Sequence, residues 1–367
     1  MTSPHRRKIS AIVSRLLEWF ALNARDLPWR RTSDAYSVWV SEIMLQQTQV
    51  KTVIPYWERW MTELPDLESV ARAGEDRIHK LWEGLGYYSR ARNLQAAARQ
   101  MVSQHAGRFP RDFAAILELP GVGRYTAGAV ASIAFNEARP ILDGNVIRVV
   151  TRLFGIEENP REKPINDQLW AVAEELVQES AHTNSQPSAH SKAGPAQLNQ
   201  SLMELGALVC TPRQPKCATC PLQSLCQAFR SGKVNDIPNL APRATATARS
   251  FVAYVLESAE GFLVRQRPEG VVNAHLWEFP NFEYSADAPN PGAVEVAQKL
   301  FEVAPEAGDQ LCMIRHSITR YRITLLVFHG KLPARRSVRG FAGTWATREQ
   351  LHQLAFSSAH KKIVKLL

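Results

Sequence analysis

The sequence predicts a mainly α-helical N-terminal domain joined by a linker to a smaller α+β C-terminal domain. Three observations carry this. Apolar residues recur at three- and four-residue spacing through 9–20, 38–45, 94–102, 146–153 and 198–209, the period of one helical face. Segment 231–248, SGKVNDIPNLAPRATATA, holds Pro, Gly and no periodicity, as a domain linker does. Beyond it the texture changes to short β-branched runs, FVAYVLE, GFLVRQR and RYRITLLVFHG, separated by turn residues. The expected layout is therefore a helical domain over 1–230, a linker over 231–248 and a second domain over 249–367.

A chain of 367 residues can bury two cores. Its 45% hydrophobic and 22% charged residues are ordinary for a globular protein, and no run reaches the ~18 consecutive apolar residues that span a bilayer. The basic start MTSPHRRKIS is followed by amphipathic ISAIVSRLLEWFAL, not by the apolar core of a secretory signal. A cytoplasmic protein with no membrane partner is expected. The net charge of +9 is shared by both parts, with 15 Lys and Arg against 11 Asp and Glu from Arg249 onward. That balance favours a polyanionic partner such as nucleic acid.

Within the helical part, LPGVGRYTAG (119–128) joins two segments of helical period, RDFAAILEL and RYTAGAVASIAF, into a hairpin over 111–135. Gly121 and Gly123 let the chain turn sharply and present N–H groups at the start of the second helix, a ready anion site. No Gly-Lys-Ser/Thr follows, so it is not a Walker loop. A plain helix–helix turn is the simpler reading of such a hairpin standing alone. Downstream, ILDGNVIRVVTRLF sets Asp143 just before a helix, and HTNSQPSAHSKAGPAQ (182–197) reads as a flexible loop inserted between helices.

Four of the five cysteines lie in CTPRQPKCATCPLQSLC, where Cys210, Cys217, Cys220 and Cys226 give C-x6-C-x2-C-x5-C. Clustered thiols in an intracellular protein bind metal more often than they form disulfides. Structural zinc usually uses two separated C-x2-C knuckles or adds His. One knuckle with longer arms and no His suits a 4Fe–4S cluster better, with zinc as the alternative. Cys312, alone in a strand-like run, reads as an inert core thiol.

A glycine hairpin, an Asp after it and a four-cysteine loop, in that order, resemble the helix-hairpin-helix DNA glycosylases of the endonuclease III superfamily. The resemblance implies that the hairpin grips a DNA phosphate and that Asp143 sits at the sugar of a flipped nucleotide. Members that also cut the backbone carry a Lys where this chain has Tyr125, and its amine forms a Schiff base. Tyrosine cannot, so a glycosylase that works by hydrolysis is expected. The stretches LPWR (27–30), SVWVSEIMLQQTQVKTVIPYWERW (37–60), WEGLGYYSRARNL (82–94) and MELGALVC (203–210) closely resemble the adenine DNA glycosylases of the MutY type. That family acts in base excision repair on adenine mispaired with 8-oxoguanine or guanine in duplex DNA. A monomer is expected.

Adenine is a poor anionic leaving group, so its release needs a proton. Glu42 is the candidate acid: Val38, Trp39, Val40, Ile43, Met44 and Leu45 surround it in sequence, and apolar surroundings raise a carboxyl pKa. Asp143 is the candidate carboxylate that stabilises the oxocarbenium-like sugar, as in glycoside hydrolysis, and it can cap the following helix as well. The resemblance places Tyr125 and Asn145 beside the sugar and its water. It makes Gln47 and Tyr87 the residues that wedge into the duplex, and Trp29, Arg30, Leu45 and Glu204 the walls and polar contacts of the adenine pocket.

In the second domain, AHLWEFPN is similar to the Nudix fold, giving an α+β Nudix-like domain. GAVEVAQKLFEV lacks the paired glutamates that hold Mg²⁺, so pyrophosphohydrolase chemistry is excluded. In MutY-type proteins this domain reads 8-oxoguanine through a Phe-Ser-His turn, and here the aligned residues are Ile318, Thr319 and Arg320. Only the hydroxyl survives, in Thr319; Arg320 can donate to guanine acceptors or phosphate. Two rivals remain in view. An endonuclease III-like lyase is opposed by Tyr125 and the second domain, and a non-catalytic DNA-binding iron–sulfur protein is opposed by Glu42 together with Asp143.

Overall fold

Helix α1 (Pro4–Asn23) begins at Ser3, whose hydroxyl accepts the Arg6 N–H at 3.2 Å, and it buries Ile9, Ile12, Val13, Leu16, Leu17 and Phe20. The computed structural model to which it belongs describes residues 3–183, 194–241, 245–285, 290–301, 308–318, 320–332, 338 and 341–367. Its contacts divide the chain into two units, Met1–Arg72 with Asn93–Pro242, and Ala73–Arg92 with Arg243–Leu367.

The first unit is helical. After α1 come α2 (Ala35–Leu45), α3 (Val50–Glu63), α4 (Leu67–Arg72), the greater part of α6 (Ser89–Gln104), α7 (Phe113–Leu117), α8 (Arg124–Phe135), α9 (Gly144–Phe154), α10 (Lys163–Ala181), α11 (Pro195–Leu208) and α12 (Gln227–Arg230). One core joins α1, α9, α10 and α11 through Ile12, Leu16, Val149, Leu176, Leu198 and Leu202. Helices α2 and α8 are buried along most of their length, α2 from Ala35 to Met44 save Ser37 and α8 from Thr126 to Ser132. A helix without a polar face belongs inside. Small residues let α8 sit there, since a Cβ at Gly128 would stand 2.2 Å from the Pro140 carbonyl oxygen. These two helices carry Glu42 and Tyr125.

The loop expected over 182–197 is shorter than that on its C-terminal side. Pro195, Ala196 and Gln197 form the first turn of α11, where a proline at the first helical position costs nothing because its missing N–H would have no helical partner. Residues 184–193 lie outside the described part. In the expected linker, Ile237 is buried and its carbonyl accepts Arg152 Nε at 2.8 Å, so that stretch rests on α9.

The second unit holds helix α5 (Glu75–Trp82) and a mixed sheet of β1 (Thr247–Ser258), β2 (Gly261–Gln266), β3 (Trp277–Glu278), β4 (Asn281–Tyr284), β5 (Asp309–Ile318), β6 (Tyr321–Lys331) and β7 (Thr344–Ala346). The strand order is β3-β2-β1-β6-β5, with β4 on β1 and β7 on β2; β1 and β6 run parallel and the other pairs antiparallel. Side chains alternate between the two faces. Ala253, Val255, Leu325 and Val327 face a cluster with α14 (Arg348–Gln353) and α15 (Ser358–Val364). Val252, Tyr254, Leu326 and Phe328 join Val296 and Phe301 of α13 (Ala293–Phe301). Cys312, expected as a core thiol, is half-buried on β5 at the margin of the first of these clusters.

Candidate active site

A cavity of about 490 Å³ opens in the first unit among α2, α8, α9 and α11, a size usual for small-ligand sites. Trp29, Arg30, Glu42, Leu45, Gln47, Tyr125, Asp143, Asn145 and Glu204 all line it. Thus nine of the residues singled out in the sequence meet in one place, from five separate segments. Trp29 and Arg30 come from a single 3-10 turn, Pro28–Arg30, and Gln47 takes a left-handed backbone (φ 57°) just past α2. Such a conformation is uncommon outside glycine and aims the side chain away from the helix path.

Glu42 is 6% exposed, and burial pushes its carboxyl up to about 7. The Tyr125 phenol donates to Glu42 Oε2 at 2.9 Å and draws the value down, Asp143 raises it, and Arg30 lowers it. Tyr125 is half-buried and stays a phenol, its pKa raised by desolvation and by the neighbouring carboxylates. Its hydroxyl also touches Met203 Sδ at 3.2 Å, a neighbour that the sequence did not single out.

Asp143 has a different setting. It caps α9: Oδ1 accepts the Asn145 and Val146 N–H groups at 3.0 and 2.8 Å, and Oδ2 accepts Asn145 Nδ2 at 2.9 Å. Burial raises its pKa while these three donors oppose the rise. The N-terminal end of a helix dipole adds to their effect and favours the carboxylate. Asn145 is itself oriented by Arg148, whose Nη2 donates to Asn145 Oδ1 at 2.8 Å and to the Gly206 carbonyl at 2.7 Å.

Glu204 is held otherwise than as a free polar contact. Its two oxygens take Arg25 N, Nε and Nη2 and Arg30 Nη2 at 2.7–3.0 Å. Burial alone would raise this carboxyl, but the arginines hold it at about 2. Four donors fill the acceptor sites of a carboxylate. Glu204 therefore fixes Arg30 and Arg25 at the cavity wall. Arg25 was not anticipated, because it lies in irregular chain after α1 with no periodic signal.

The hairpin is closed by Val122 N–H to the Leu119 carbonyl at 3.0 Å. Gly121 has φ 75°, and a Cβ there would lie 2.6 Å from Asn93 Cβ. Gly123 caps α8 with its carbonyl accepting the Ala127 N–H, so the first amides of the helix point outward beyond the turn.

Cys210, Cys217, Cys220 and Cys226 line one small cavity with Arg152, Val209 and Phe229, and none is disulfide-bonded. Burial and mutual repulsion raise the pKa of Cys217, Cys220 and Cys226, with Cys220 at about 11. Four thiolates so placed require a cationic centre between them. Among the described residues no three His, Cys, Asp or Glu side chains close on one metal ion. Four thiols around one small cavity lined by no His fit a polynuclear iron–sulfur cluster.

Tyr87, Ile318 and Arg320 belong to the second unit. Tyr87 (φ 47°) is 44% exposed and lines a separate cavity with His316, Ser317 and Ile318. Arg320 is exposed and donates to the Tyr321 hydroxyl at 3.0 Å. Thr319 lies outside the described residues.

Residues 40–175 match the model of the HhH-GPD superfamily base excision DNA repair proteins, 210–226 the iron-sulfur binding domain of endonuclease III, and 251–366 the NUDIX domain. An adenine DNA glycosylase of Homo sapiens is 34% identical over 420 residues, covering 98% of this chain and 74% of its own. The chain belongs to the adenine DNA glycosylase family. An adenine DNA glycosylase of Arabidopsis thaliana is 39% identical over 313 residues, covering 74% of this chain and 48% of its own. Among solved structures, a thermostable thymine-DNA glycosylase superposes with TM-score 0.54 at 31% identity, over 62% of this chain and all of that one. This adenine DNA glycosylase thus joins a helical glycosylase fold with an iron–sulfur loop to a Nudix-like α+β fold. Among the described residues no helix is long and apolar enough to cross a membrane.

Proposed function

We propose that this adenine DNA glycosylase is monofunctional: it hydrolyses the bond to adenine mispaired with 8-oxoguanine or guanine and leaves the backbone uncut. The carrying observation is the pair Glu42–Tyr125, in which a phenol occupies the hairpin-helix position and donates to a buried carboxyl at 2.9 Å. No amine stands there to form a Schiff base.

The flipped adenine enters the cavity between Trp29 and Leu45. Tyr125 donates to Oε2 of Glu42, leaving Oε1 to carry a proton, and Glu42 delivers that proton to the base. As the glycosidic bond lengthens, positive charge grows on the sugar. Asp143, held by three N–H donors and fixed at a helix N-terminus, faces that charge as a carboxylate. Water then adds to the sugar beside Asn145, its proton passing to a carboxylate of the site. Cys210, Cys217, Cys220 and Cys226 would hold the cluster, which would tie the 210–226 loop together, and the hairpin amides past Gly121 and Gly123 hold a phosphate. Arg320 of the second unit offers donors to a guanine edge or phosphate, and Gln47 of the first unit and Tyr87 of the second are the residues that wedge into the duplex.

Glu42→Gln tests the acid: binding to an adenine-containing duplex is kept, and base release falls by about 10²–10⁴-fold. Equal single-turnover rates in the two proteins would refute the assignment.

A further inference from the structure

The loop that carries Tyr87 is braced along its length. Gly84, Gly86 and Tyr87 all have left-handed backbone, at φ 112°, 70° and 47°, and for a tyrosine that conformation stores strain. Trp82 Nε1 and Arg90 Nη2 each donate to the Gly86 carbonyl at 3.1 Å, and the Arg90 guanidinium lies over the rings of Trp82 and Tyr87. The root of the loop is Glu83, 4% exposed. Its Oε2 accepts Lys361 Nζ at 2.6 Å and Lys80 Nζ at 3.1 Å, and its Oε1 accepts the Phe356 N–H at 2.9 Å. Lys80 also donates to the Leu354 carbonyl at 2.9 Å. One carboxylate thus ties the loop to α15 and to the chain entering it. Across a cavity of about 570 Å³, Gly86, Tyr87 and Tyr88 face His316, Ser317 and Ile318.

We propose that Glu83 is a positioning residue: it staples the Tyr87 loop to the C-terminal fold, so that Tyr87 and the end of β5 at Ile318 meet the base opposite adenine as one rigid surface. The inference rests on the reading that these two elements contact the mispair. A Glu paired only with Lys80 three residues before it would be a surface pair of little worth and would have no reason to be buried. Burial is explained by the Phe356 amide and Lys361, both from the C-terminal fold. Without Glu83 the two lysines, each more than a third exposed on their side chains, stay hydrated, so the fold survives and the tie is lost.

The test is single-turnover adenine release opposite 8-oxoguanine and opposite guanine, with amide hydrogen exchange over 84–92, for the full chain and for Glu83→Ala, Glu83→Gln and Lys361→Met. In Glu83→Ala the ratio of the two rates should fall at least about fivefold, the low end for coupled sites, while the rate opposite guanine stays within about twofold. Exchange over 84–92 should quicken in the same protein. Glu83→Gln keeps an oxygen for the Phe356 N–H and should fall between, as should Lys361→Met. An unchanged ratio with unchanged exchange overturns the staple. Equal loss on both duplexes overturns it too, since that is general destabilisation. If the unaltered protein shows no preference for 8-oxoguanine, the reading of the mispair fails, and the exchange alone then decides whether the staple exists.

Discussion

At Glu42, burial suits the proposed general acid and costs stability. The folded carboxyl titrates at about 7 against an ordinary 4.5, so between those values the folded state binds the proton more tightly than the unfolded chain does. Stability from this group is therefore complete at low pH and is lost as pH rises through about 7. Base release should follow the same limb, falling above about pH 7 as the acid form disappears. A single-turnover pH profile checks it, and a flat profile to pH 9 would contradict it. Glu42→Gln, locked in a neutral form, should melt higher than the unaltered protein at pH 8 and at the same temperature below pH 4.5. The sequence showed Glu42 by its apolar flanks. It could not show that Glu204 is saturated, because Arg25 reaches it from irregular chain that periodicity does not encode.

Among elements, the site depends on close approaches between helices. At Gly206 on α11 a Cβ would lie 2.7 Å from Asn145 Cβ, and the Gly206 carbonyl takes Arg148. Gly206→Ala should displace Asn145 and slow base release by about tenfold or more, as small misplacements of positioning groups do, with helical content kept by circular dichroism. Unchanged rates would mean that Asn145 does not act at the sugar. Gly121→Ala meets both Asn93 and a φ of 75°, and should weaken DNA binding more than it slows the bound complex. The helices around these glycines were legible from spacing, and the hairpin from its Pro-Gly-x-Gly run. The start of α11 was not, because Pro195 and Gly194 read as loop punctuation although the first fits the opening turn of a helix. The tie at Glu83 also escaped the sequence, because it joins positions more than 270 apart in the chain.

For the whole molecule, a charge of +9 spread over both parts suits a duplex, and affinity should fall steeply with salt, by a log–log slope near −0.9 for each phosphate contact. The four cysteines should give the protein broad absorbance toward the blue, and Cys220→Ser should bleach it. A colourless protein that holds zinc would overturn the cluster. Composition and cysteine spacing sufficed for these points, whereas the meeting of nine residues from five segments in one cavity is a property of the folded chain alone. The central claim, hydrolytic release of adenine without strand cutting, is tested most directly by single-turnover assays on duplexes with adenine opposite 8-oxoguanine, guanine or cytosine, each developed with and without alkali. Adenine release opposite the first two, with strand breaks only after alkali, is the predicted result. Breaks without alkali would show a lyase and contradict the role given to Tyr125.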